Sequence, residues 1–180
     1  MASESGQTSV AAYEFESKDG KNIVVRPVRD DDRAALEDMF RSCSSDTLYT
    51  RFLSPGVRVP LRYLDRLMIH RPPGIVSLVA LEGENVIGLL NFVRYEQGES
   101  GEIAIVVRDE YQNRGVGSGM LRFLYELARG HGVKKFVADI DAGNRRVFHL
   151  IQRSGFSSRI EINQGVAHVE LYMEKSAETG

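Results

Sequence analysis

The densest chemical signal in the sequence is Gln112-Asn113-Arg114-Gly115-Val116-Gly117-Ser118, a polar, glycine-bearing stretch between an apolar run and a helical pattern. A helix start presents unpaired N–H groups and the positive end of the backbone dipole. Glycines let that backbone approach an anion closely, so the stretch reads as a phosphate cradle. Two well-known cradles fit poorly. No Gly-x-x-x-x-Gly-Lys-Ser/Thr run occurs. A dinucleotide fingerprint needs Gly-x-Gly-x-x-Gly, whereas the glycines stand at 115, 117 and 119, and Arg108 to Arg114 intervene where the turn should be tight. Asp139, about 20 residues on at the end of the next strand, keeps a nucleotide-binding oxidoreductase in play. Glu102, opening the apolar run Ile103-Ala104-Ile105-Val106-Val107, is the carboxylate best placed to act as a base. Its neighbours Ile103 and Ile105 are expected to desolvate it, which suits that role. The four histidines and Cys43 show no metal-ligand spacing, and no metal is expected.

These groups need elements to position them. Tyr13 to Ser17 and Asn22 to Pro27 read as strands around the turn Lys18-Asp19-Gly20. Asp30 to Asp32 cap a helix running to about Arg41; shorter helices start near Ser45 and at Pro60. Ile75 to Leu81 and Val86 to Tyr95 form a hairpin through Glu82-Gly83-Glu84-Asn85. Glu102 to Arg108 follows as a strand whose unbroken apolar run predicts burial on both faces. Alternation puts Glu102, Ala104 and Val106 on one of those faces. A helix spans Gly115 to Arg129, with Met120, Leu121, Leu124 and Leu127 inward, and Gly130 ends it. Then come a strand (Val133 to Ile140), a helix (Asn144 to Ser154) stopped by Gly155, and two strands (Phe156 to Ile162, Ala167 to Glu174). The fold class is α/β: a mixed, mostly antiparallel central sheet with helices on both faces.

Gln112-Asn113-Arg114-Gly115-Val116-Gly117, between a strand and an amphipathic helix, resembles the Gln/Arg-x-x-Gly-x-Gly/Ala motif of the GNAT acyltransferases. Asn144, the helix Arg145 to Ser154, and Gly155-Phe156 resemble the family's second cofactor-side segment. The resemblance implies a GNAT fold over residues 13–175, with 1–12 and 176–180 as tails. It implies acetyl-CoA as co-substrate. The backbone of Ile105, Val106 and Val107 would hold the pantetheine arm and thioester. Gln112, Asn113, Arg114, Gly115, Val116, Gly117 and Ser118 would receive the pyrophosphate, with added charge from Arg114. Asn144 would reach the pantetheine, and it is equally natural as a helix N-cap.

An amine attacking a thioester must first lose its proton, and lysine holds it with a pKa of about 10.4, so a base is useful. Glu102 matches the family's glutamate bases in placement. The tyrosine that many members use as proton donor would stand at position 151, which is isoleucine. That departure supports an alternative: an acyl-CoA-binding sensor or interaction module of GNAT fold with little turnover. His149 and Ser154 lie on the same helix without matching the motif.

Ser44-Ser45-Asp46-Thr47-Leu48-Tyr49-Thr50-Arg51-Phe52-Leu53-Ser54-Pro55 resembles a run in the GNAT domain of bacterial Pat-type protein lysine acetyltransferases, and so does Gly101 to Asp109. The acceptor implied is a primary amine, with protein lysine leading and a small amine or amino acid as competitor. The 180 residues suit one domain. A net charge of −2 without a basic run argues against nucleic acid or membrane as partner. One cysteine allows no intrachain disulfide, and no stretch resembles a signal peptide or membrane span, so a cytoplasmic protein is expected. A homodimer is compatible with all of this.

Overall fold

The computed structural model describes residues 12–59, 61–96 and 98–175. The expected tails, apart from residue 12, and Pro60 at the third helix start lie outside the described residues. One sheet of eight strands runs in the order β1-β2-β3-β4-β5-β6-β8-β7. The strands are β1 (Tyr13–Glu16), β2 (Asn22–Pro27), β3 (Ile75–Glu82), β4 (Asn85–Arg94), β5 (Ser100–Val107), β6 (Lys135–Asp141), β7 (Phe156–Asn163) and β8 (Val166–Lys175). Helices α1 (Arg33–Ser42), α2 (Ser45–Phe52) and α3 (Leu61–Leu67) follow β2. Helix α4 (Val116–Arg129) links β5 to β6, and α5 (Arg145–Ser154) links β6 to β7. Every expected element forms, with ends shifted by a residue or two, as fraying ends do.

The apolar pattern divides the core in two. Helices α4 and α5 cover one face, where Met120, Leu121, Leu124 and Ile151 pack on Ile23, Phe92, Ile103, Phe136 and Val169. Helices α1 and α3 cover the other, where Leu36, Met39, Phe40, Leu64 and Leu67 pack on Val79, Leu89 and Val106. Among the described residues no helix is long and apolar enough to cross a membrane.

One irregularity positions the site. All neighbouring strands pair antiparallel except β5 and β6, which run parallel and meet only where Ser100, Gly101 and Glu102 face Lys135, Phe136 and Val137. Beyond Glu102 the two strands diverge, so Ile103 to Val107 have no partner on that side. The expected burial of β5 on both faces therefore fails: Glu102 is exposed, and Ala104, Ile105 and Val107 are only half-buried. An apolar run in this strand marks the wall of an opening, not only the centre of a packed sheet.

Candidate functional site

The opening between β5 and β6 continues into the start of α4. After Val107 the chain makes a single 3-10 turn at Asp109–Tyr111, then reverses through Asn113 (φ 63°) and Gly115 (φ 93°) into the helix. The left-handed region carries a steric cost that glycine escapes, which accounts for Gly115. Gly117 and Gly119 have other reasons. A β-carbon on Gly119 would sit 2.3 Å from the Phe15 ring, so that position is closed by packing. A β-carbon on Gly117 would touch only Leu150 Cδ2, at 3.6 Å. The protein itself leaves room there, and the room belongs to the cavity.

The first turn of α4 has no capping side chain. By contrast, α2 is capped by Ser44, whose Oγ accepts from the Thr47 amide, and α5 by Asn144, whose Oδ1 accepts from the Val147 amide at 3.3 Å. The amide ends of α4 thus point, unanswered, into a cavity of about 470 Å³. Ile105, Val106, Val107, Gln112, Asn113, Gly115, Val116, Gly117, Ser118 and Asn144 all line it.

Arg114 is the exception among the expected cofactor-side residues. Its guanidinium bonds Asp19 at 2.6 Å and lies over the Tyr111 ring, and it takes no part in the cavity wall. Its carbonyl also accepts from the Lys18 amide, at 3.0 Å. The charge expected from Arg114 is spent tying the loop to the β1–β2 turn. Lys18, Arg146 and Arg153 line the cavity instead, with no carboxylate among the lining residues. Arg146, Leu150 and Arg153 recur at helical spacing on the α5 face that borders the opening, a signal present in the sequence but indistinguishable there from a solvated helix face. Lys18 had no local signal, because only the turn's tertiary position brings it in.

Gln112 is held rather than free. Its Nε2 donates to Val107 O (2.9 Å) and Thr47 Oγ1 (3.0 Å), and its Oε1 accepts from Arg146. Asp109 ties the same loop to α2: one oxygen accepts from the Ser44 amide and the other from Ser44 Oγ and Thr47 Oγ1. Burial works against the Asp109 charge, but these donors hold its pKa below the ordinary carboxylate value. Ser44, Thr47, Asp109 and Gln112 thus form a clamp that carries α2 and the glycine loop as one unit. Long-range partners like these, about 62 to 65 residues apart in sequence, leave no trace in local patterning.

Glu102 lies outside the cavity wall, three residues before Ile105 and so about 10 Å up the strand. Ile103 and Ile105 do not pack against it, because alternation sends both toward the core on the α4 side, and Glu102 is exposed. Its near charge is Arg51, on the last turn of α2. Burial pulls the Arg51 pKa down, while Tyr63, to which it hydrogen-bonds, and Glu102 favour its charged form. The guanidinium packs over the Phe52 ring, 4.9 Å from its centroid, and its buried Nε has no hydrogen-bond partner. Asp139 pairs with His168 Nδ1 at 2.7 Å and does not line the cavity, as a ribose-binding acid would need to. Ile151 is buried in the core, whereas His149 borders the cavity. Cys43 is buried, and its thiol is pushed up to about 11 by burial and then by Asp109.

The acetyltransferase (GNAT) family model matches residues 33–156. The chain belongs to this family. Its activity class is acyl transfer, and the eight-stranded mixed sheet is the GNAT fold. An acetyltransferase of Pseudomonas aeruginosa is 28% identical over 142 residues, covering 77% of this chain and 76% of that one. Acetyltransferase Pat of Mycolicibacterium smegmatis is 35% identical over 116 residues, 62% of this chain, and the match spans 34% of Pat's length. The crystal structure of the GNAT domain of S. lividans PAT superposes with a TM-score of 0.82 at 24% identity, covering 89% of this chain and 96% of that one. A putative acetyltransferase from Salmonella typhimurium, solved with its cofactor acetyl-CoA, superposes with a TM-score of 0.66 at 19% identity, covering 88% and 96%. Within the GNAT frame, the β5–β6 divergence, the uncapped α4 and the cationic lining all belong to one cleft.

Proposed function

We propose that this GNAT protein transfers an acetyl group from acetyl-CoA directly to a primary amine, with a protein lysine in the cytoplasm as acceptor. One observation carries the reading. The diverging strands β5 and β6 lead into the uncapped N-terminus of α4 in a single cavity, lined by Lys18, Arg146 and Arg153 and by no carboxylate. That combination suits a slender, phosphate-bearing ligand: the exposed edge of β5 takes an amide-containing arm as an added strand, and the helix start takes a pyrophosphate. Asn144 faces the same arm, with its side-chain nitrogen left over after capping.

With acetyl-CoA so placed, a neutral amine attacks the thioester carbonyl carbon. The new C–N bond forms, the C–S bond breaks, and the electron pair leaves on the CoA sulfur. Before the attack Glu102 draws one proton from the acceptor's ammonium through water, because the carboxylate stands about 10 Å along the strand from Ile105, and the second amine proton, shed as the C–N bond forms, passes through water to the departing thiolate. The acceptor therefore enters from the Glu102 side. The likeness to Pat supports protein lysine over a small amine.

A binding-only reading rests on Ile151, which is buried and leaves the usual proton-donor position without a hydroxyl. CoA release, measured against a panel of amines, lysine peptides and protein lysates, separates the readings. Acetyl-CoA that raises the melting temperature and is consumed with lysine peptides supports the proposal. A melting shift without CoA release from any acceptor favours the sensor, and no shift at all removes the cofactor assignment.

A further inference from the structure

Arg51 is a desolvated charge that the proposed reaction leaves without a task. Helix α2 carries it to a particular place. Ser44, Thr47 and Arg51 recur at i, i+3 and i+7, so they share one side of the helix. That side begins at the C-terminal end of β5, where Ser44 and Thr47 bond Asp109. Gln112 bonds both Thr47 and Val107, so Thr47 stands beside Val107. Arg51 lies one turn further on, about 6 Å along the helix axis, and adds the reach of a long side chain. Glu102, five residues before Val107 in β5, is about 16 Å from it along the strand. The interaction of Arg51 with Glu102 fixes the direction: α2 runs back along β5, from the cofactor cavity toward the base. Both groups lie on one side of the sheet. Glu102 alternates in step with Val106, which packs with α1 and α3, and Leu48 and Phe52 of α2 pack on the same cluster.

The guanidinium is held back from the carboxylate. It hydrogen-bonds Tyr63, lies over the Phe52 ring and acts on Glu102 as a charge without a hydrogen bond. A desolvated cation needs a counter-charge, whereas a base needs a free oxygen to take a proton. Two parallel bonds from arginine to the carboxylate would satisfy the first need and cover both oxygens. A guanidinium stopped short by Tyr63 and Phe52 attracts the carboxylate and leaves its oxygens open.

We propose that Arg51 is the positioning residue for Glu102, the fixed cation that keeps this exposed carboxylate turned over β5 toward the path of the acceptor amine. The inference rests on Glu102 acting as the base. An exposed carboxylate otherwise samples several rotamers, and those turned into solvent do not serve the water path to the amine. Arg51 does not line the cofactor cavity, so its effect falls on turnover and not on acetyl-CoA affinity.

The test is a double-mutant cycle in the full chain, with acetylated lysine peptide counted by mass spectrometry and acetyl-CoA affinity read by titration calorimetry. Arg51→Gln lowers kcat about 10- to 10²-fold, as expected of one charge interaction near the surface, with acetyl-CoA affinity within about threefold of wild type. In the Glu102→Gln background the same change lowers the residual rate by less than about twofold, because nothing is left to position. Arg51→Lys, which keeps a cation on a long stem, is at least about fivefold faster than Arg51→Gln. If Arg51→Gln does not keep the wild-type melting temperature, Arg51→Lys carries the cycle: it lowers kcat about 2- to 10-fold alone and less than about twofold beside Glu102→Gln. A rate that falls by the same factor with and without Glu102 shows a packing role and overturns the proposal. So does Arg51→Gln at the wild-type rate, or Arg51→Lys no faster than Arg51→Gln; these results leave the reaction itself standing. A wild type that transfers to no amine removes the reaction, and Glu102→Gln at full turnover removes the base; either withdraws the inference with it.

Discussion

Replacing Gly117 with valine separates what the fold needs from what the ligand needs. In the protein alone a β-carbon there meets only Leu150 Cδ2 at 3.6 Å, an ordinary contact, and the residue is helical. Valine and glycine differ by only about 0.3–0.5 kcal/mol in helix propensity, so the unliganded variant melts within a few degrees of the wild type. In the complex the branched side chain, larger than the single methyl that the motif's Gly/Ala position accepts, stands where an anion must approach the first-turn amides of α4. Hydrogen bonds to a charged group contribute about 1.5–3 kcal/mol each. Lifting a phosphate from two of them costs about 3–6 kcal/mol, a loss of affinity of about 10²- to 10⁴-fold. Isothermal titration with acetyl-CoA, paired with the melting curve, reads both effects. Gly115→Ala is the contrasting control: it has open space but a φ of 93°, so it lowers the melting temperature without ligand. If Gly117→Val binds acetyl-CoA within about threefold of wild type, the pyrophosphate does not sit on this helix start.

Three further outcomes follow from the structure. Glu102→Gln lowers kcat by about 10²- to 10⁴-fold and leaves acetyl-CoA affinity unchanged, since the residue lies outside the cavity wall; unaltered turnover would remove it as the base. Arg26 and Asp32, with side chains 14% and 7% exposed, make two bonds of 2.7 Å; Asp32→Ala leaves the guanidinium unpaired and costs about 3–5 kcal/mol in denaturant unfolding. Burial alone would raise the Asp32 pKa, but Arg26 and the Arg29 amide hold it below the unfolded value of about 3.9, so the pair's contribution is intact above pH 4 and disappears as pH falls through the lower folded value. Urea midpoints measured from pH 6 down to about pH 2 should therefore converge between wild type and variant. Cys43, buried with its thiol at about 11, resists thiol reagents near pH 8 until the chain unfolds, and Cys43→Ala keeps turnover; loss of turnover would point to an acyl-enzyme and against direct transfer.

Reading by sequence went furthest where the physics is local. The helix from Val116 shows in its apolar period, the Asn144 cap in its residue type, and the reversal before α4 in Gly115. It went astray where the decisive partner is distant. The apolar run Ile103 to Val107 suggested full burial, yet strand composition says nothing about whether the neighbouring strand stays alongside. Arg114 looked like a phosphate contact because of its place in the motif, but Asp19, 95 residues earlier, claims it. Ile103 and Ile105 follow Glu102 closely in the chain and face away from it in space.

What the sequence by itself determined is the set of elements and the glycine-bearing start of α4, since hydrophobic period, capping and glycine placement act within a few residues. Tertiary structure decided what those parts mean. It opened β5 from β6, turned Arg114 outward, brought Lys18, Arg146 and Arg153 to one wall and buried Ile151. Each of these depends on pairing and packing between segments tens of residues apart, and such contacts are chosen by the whole fold rather than by any window of the chain.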